Sequence, residues 1–106
     1  MNKQALRPAY QFLRHAAFHD IPLPARINLS LRKLRDAYGY FYSDPSRIEI
    51  DSGISDPITF LKVMAHEMCH ASLERGAVSD HHHHDENFNQ LAKIVCERMR
   101  WTTRGF

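Results

Sequence analysis

The run "ITFLKVMAHEMCHASLER", residues 58–75, restricts this chain's fold more than any other stretch, because no glycine or proline interrupts it. Pro57 stands in front of it, where the first turn of a helix tolerates a missing N–H, and Ser55 or Asp56 can cap that turn. Gly76 follows and can close the helix in a left-handed conformation. Val63, Met64, Ala65 and Met68 give its middle an apolar surface, so the helix is expected inside the domain. A chain of 106 residues has room for one modest core, and residues 1–106 are read as a single domain.

The other elements follow from periodicity. Leu6, Tyr10, Leu13 and Ala17 recur at helical spacing and predict a first helix from about Pro8 to His19, ended by "DIPLPAR". In "RINLSL", Ile27, Leu29 and Leu31 alternate with Asn28 and Ser30, the period of a half-buried strand. "YGYFY" predicts a second strand, "DPS" a turn, and "RIEID" a third strand with Ile48 and Ile50 on one face. Phe88, Leu91, Ala92 and Val95, with Met99 a turn beyond, predict a last helix beginning near Asp85. The fold class expected is α+β: an N-terminal helix, a small antiparallel sheet, the long helix and a closing C-terminal helix. Tyr38, Tyr40 and Tyr42 are read as sheet packing, with an oxyanion role for one of them as the other reading. Trp101 and Phe106 are read as lids on the core.

Several function classes are excluded. No apolar run approaches the ~20 residues that a membrane span needs. Polar and basic residues break up "MNKQALRPAYQFLRHAAFHD", so a secretory signal is not expected, and the chain is read as cytoplasmic and monomeric. Cys69 and Cys96 form no C-x-x-C pattern and are read as buried free thiols. The net charge is +2, and residues 1–50 carry eight Lys/Arg against four Asp/Glu. An excess this small admits a weak nucleic-acid contact, with a solvated face as the plainer reading.

Six of the eight histidines fall between residues 66 and 88. His66 and His70 in "HEMCH" are four apart, so both imidazoles project from one helix face and can reach one zinc ion. Glu67 then lies beside the metal without having to bind it, placed to take a proton from a zinc-bound water. A catalytic zinc usually takes three protein ligands, and no third histidine follows closely behind His70. His84, four residues before Phe88, is the histidine of the run "HHHH" best placed to point where Phe88 points. His81, His82 and His83 are read as a solvated loop, with a second weak metal site or a spare ligand as the other reading. A complete helix follows the run, which excludes an affinity tag.

"HEMCHA", a variable loop and "HDENFNQLAKIVC" together resemble the SprT-like zinc peptidases, whose pattern is HExxH, a loop, then a histidine ahead of an aromatic-led helix. "AYGYFYSDPSRIEID" is similar to that family's glycine-containing strand, turn and I-x-I strand. The resemblance covers about residues 8–106. It implies a zincin-like fold, one zinc ion bound by His66, His70 and His84, and Glu67 as the general base of peptide-bond hydrolysis. Known members digest proteins crosslinked to DNA, so DNA-associated proteins are among the substrates it implies. Asp85 replaces the family's usual glycine, as in the related WLM-type proteases. The chain ends at "WTTRGF" with no cysteine zinc ribbon or basic region, and is read as a minimal form.

The expected partner is a protein or peptide substrate, laid in extended form along an open edge of the strand around Arg47 to Asp51. Two other classes remain. A zinc hydrolase of small amides or nucleotides would need a closed pocket. A non-catalytic module that uses zinc only to fold would not require Glu67.

Overall fold

The computed structural model describes residues 2–75 and 86–106. A single 3-10 turn at Lys3–Ala5 leads into α1 (Leu6–Ala16). Three strands follow, β1 (Asn28–Arg32), β2 (Gly39–Tyr42) and β3 (Arg47–Asp51), then α2 (Pro57–Arg75) and α3 (Glu86–Met99). The proposed closure at Gly76 and the helix start at Asp85 lie outside the described residues.

Helix α1 buries Leu6, Tyr10 and Leu13 along one stripe and leaves the opposite face in solvent. It ends at Ala16, three residues before the predicted His19. The amides of Ala17 and Phe18 both bond to the Leu13 carbonyl, at 2.8 and 3.1 Å. That closes the helix and turns Phe18 into the core, a burial that continued helix would have forgone.

The sheet is mixed, not antiparallel as the sequence suggested. Its order is β1-β3-β2, with β1 parallel to β3 and β2 antiparallel to β3. The short turn after Tyr42 pairs β2 with β3 as a hairpin. Residues 33–38 carry the chain from β1 past the place β3 will occupy, so β1 and β3 run the same way. This crossover is pinned to the end of β3: Leu34 N–H donates to Asp51 Oδ1 at 2.9 Å, and Asp51 N–H to the Tyr38 carbonyl at 2.8 Å. Alternation reports which residues share a face and carries no information on strand direction.

A second correction follows from this order. β3 is the central strand, with both edges paired, so it cannot offer an open edge to a substrate. The strand at the edge against α2 is β2.

Ile48 and Ile50 face inward with Phe41, as expected, and join the same core cluster as Met64 and Met68 of α2. Glu49, between the two isoleucines, is also buried, with Arg47 Nε at 3.6 Å and Arg32 Nη1 at 3.8 Å from its carboxylate. A buried carboxylate persists where cations stand beside it.

Helix α2 packs against α1, α3, β2 and β3. Its buried residues Phe60, Met64, Ala65, Met68, Cys69 and Ala71 occupy more than one face, as a central helix requires. Asp56 begins it, accepting the Thr59 amide and hydroxyl at 2.8 Å each, and these bonds hold its carboxyl below the usual range. A depressed carboxyl contributes stability above its unfolded-state pKa and loses it as pH falls through the folded one. Asp56→Ala should therefore lower the melting temperature at pH 7, with the gap to wild type closing as pH falls below about 4. Asp56→Asn, which caps without titrating, should stay near wild type at pH 7. Thermal unfolding across pH checks both.

Helix α3 buries Phe88, Ala92, Val95 and Cys96 against α2. Its far end is tied to the turn after α1: Arg98 Nη1 donates to the Ala17 carbonyl at 2.9 Å, and its guanidinium grips Asp20 at 2.7 and 3.1 Å. Cys69 and Cys96 are free and buried, and burial raises both thiols above their ordinary range, so they pack as small apolar groups. Among the described residues, no helix is long and apolar enough to cross a membrane.

Candidate functional site

The central turns of α2 carry the candidate residues. His66 and His70, one turn apart, present their rings 5.1 Å from each other, edge to face at 67°. Phe88 of α3 closes over both, its ring 5.0 Å from His66 and 4.6 Å from His70. The stripe that fixes α3 to the core therefore also holds the two imidazoles in place. Phe106 lies against His66 from another side at 5.4 Å.

Glu67 is only 6% exposed, and burial pushes its carboxyl up to about 8. Its surroundings disfavour an isolated negative charge, so a cation beside it would restore the ionised form. Across from Glu67 stands Gly39, the first residue of β2. A Cβ built there would meet Val63 Cγ1 at 2.8 Å and both the Glu49 carbonyl and Glu67 Cγ at 3.2 Å. The absence of a side chain thus lets the edge strand lie directly on α2 beside Glu67. Gly39→Ala should push strand from helix and cost about 1–3 kcal/mol, the usual range for overpacking. That corresponds to a fall of several degrees in melting temperature, measurable by thermal unfolding.

Two hollows meet at this contact. One, of about 460 Å³, is lined by Tyr38, Thr59, Lys62 and Phe106. The other, of about 360 Å³, is lined by Tyr40, Phe41, Tyr42 and His70. Gly39, His66 and Glu67 line both, so the hollows form a cleft along β2 with the histidines and the carboxylate at its middle. Neither hollow is enclosed.

The structure therefore brings His66, Glu67 and His70 together. His84, the expected third ligand, lies outside the described residues, as do His81, His82 and His83. Among the described residues, no group of three or more His, Cys, Asp or Glu is arranged to hold a metal ion.

The tyrosines divide. Tyr40 and Tyr42 pack ring to ring at 5.9 Å, with the Arg47 guanidinium 4.5 Å over Tyr42. Tyr38 is exposed at the mouth of the larger hollow. Trp101 and Phe106 pack on the core as lids, 6.4 Å apart, but Phe106 also walls the cleft. Sequence reasoning missed the roles of Gly39 and Phe106. A glycine inside an aromatic strand was the available signal for the first, since it marks a close backbone approach. No local pattern announces the second.

Compared with known protein families, residues 6–104 match the SprT-like family. No curated protein and no solved structure matches the chain.

Proposed function

The chain belongs to the SprT-like family, and on that premise we propose that it is a zincin-like metallopeptidase whose single zinc ion is held by His66, His70 and His84. The observation that carries this reading is the pair of imidazoles 5.1 Å apart on one helix face, with the Glu67 carboxylate buried beside them at the centre of a cleft.

The donor chemistry fits zinc. Imidazole nitrogens one helical turn apart suit a small borderline cation, and a buried carboxylate next to them gains from its charge. Cys69 and Cys96 offer no competing thiolates. When bound, the ion supplies Lewis acidity, which polarises a carbonyl and acidifies a water molecule. Glu67 takes the proton of the attacking water and delivers it to the leaving amine nitrogen. Its burial beneath β2 keeps bulk water from competing for that proton.

The cleft bears on the substrate. Edge strand β2 runs along it, and an extended peptide can lie beside that strand as an added one. Because that contact reads backbone, selection among sequences would be broad, and proteins associated with DNA fall within its reach. A cleft unenclosed on both sides of Glu67 suits a chain that continues past the scissile bond, and suits a small amide or nucleotide less well. The buried carboxylate speaks against a module that uses zinc only to fold, because burying it costs stability.

The experiment is to incubate the zinc-loaded chain with casein and, separately, with a panel of small amides. Casein fragments, absent after chelation and restored by added zinc, support the reading. Turnover of small amides alone would replace it with a non-peptidase hydrolase.

A further inference from the structure

The larger half of the cleft is bounded by residues 104–106 of the chain itself. Arg104, Gly105 and Phe106 line it together with Tyr38, His66 and Glu67. The Phe106 ring divides it from a neighbouring hollow of about 370 Å³ lined by Phe88, Asn89 and Thr103. That ring lies 5.4 Å from His66 and 6.4 Å from Trp101 and is half-buried against the core. The Phe106 amide bonds to the Thr103 carbonyl, three residues back, at 3.1 Å. Gly105 turns with φ +74°, and a Cβ built on it would meet nothing within 4 Å. Residues 104–106 thus lie along the cleft, with the Phe106 ring seated against His66 at the end of a glycine turn.

From this arrangement we propose that Phe106 occupies a subsite for an aromatic substrate side chain, and that the segment 104–106 acts as an intramolecular competitor which substrate must displace. The proposal rests on the reading of the cleft as a peptide-binding site. An aromatic residue fits because the seat is framed by the faces and edges of His66 and Trp101, which favour a ring in tilted contact. Among the described residues, none fills the other half of the cleft, by Tyr40 and Tyr42, in this way. A seat filled by this segment about nine-tenths of the time weakens an incoming ligand about tenfold.

Binding is measured on the Glu67→Gln background, where cleavage does not interfere, by the emission of Trp101, the chain's one tryptophan. The probe is the blocked peptide acetyl-Thr-Arg-Gly-Phe-amide, compared with its alanine-ended counterpart. Phe106→Ala should bind the phenylalanine peptide about tenfold more tightly than the parent, retain its zinc, and bind the alanine peptide weakly. Phe106→Ser, which empties the seat in another way, should do the same. In the Glu67 enzyme, Phe106→Ala should lower KM for phenylalanine-containing peptides. Equal or weaker peptide binding by both variants would overturn the proposal, as would loss of zinc from both, which would make Phe106 a structural support of His66. Because the binding arm requires no turnover, a chain that cleaves nothing but shows this tightening would refute the peptidase reading and leave the subsite standing.

Discussion

A His70→Ala chain should leave purification with little or no zinc, and His84→Ala should behave alike. His70 is 5% exposed and its ring is held at 4.6 Å by Phe88, so it has little freedom left to lose when a metal binds. Structural zinc sites with four protein ligands bind at about 10–16 kcal/mol, which puts one ligand at roughly 2.5–4 kcal/mol, a loss of about a hundred- to a thousandfold in affinity. His84 enters by sequence spacing: it stands four residues before Phe88, whose ring covers both other imidazoles. Changing His81, His82 and His83 together to alanine should leave close to one zinc per chain. Metal analysis of the purified variants decides the matter. A zinc-free triple variant beside a fully loaded His84→Ala would move the third ligand to residues 81–83.

Glu67→Gln separates binding from chemistry. The amide nearly matches the carboxyl in size, so it fits the close contact with Gly39 and leaves His66 and His70 where Phe88 holds them. Zinc content should stay at one ion per chain. The amide has no basic oxygen able to accept a proton at neutral pH, and loss of a general base typically costs 10²–10⁴ in rate. The expected result is an unchanged fold by circular dichroism and peptide cleavage slowed by 10² or more. Cleavage at the wild-type rate would remove Glu67 from the mechanism.

How much of this was legible in the sequence depended on whether the signal was local. The long helix, the His66–His70 face and the Phe88 stripe are periodic patterns within single elements, and the structure places them as read. The direction of β1 relative to β3 depends on where residues 33–38 carry the chain, which alternation does not encode. The strand with an open edge was misassigned for that reason: proximity in sequence to α2 favoured β3, whereas the crossover leaves β2 at the edge. Gly39 is informative only once Val63 and Glu67 are known to lie against it. Phe106 reaches His66 from 40 positions away in the sequence, beyond any local rule.

The most direct test titrates zinc into the metal-free chain while fragment release from casein and bound metal are followed in the same samples. The account predicts that release rises in proportion to occupancy and levels off at one ion per chain, and that Glu67→Gln reaches the same occupancy with release at least a hundredfold slower. A wild-type chain that carries its full zinc and leaves casein intact, or one that cleaves equally with the metal removed, would contradict it.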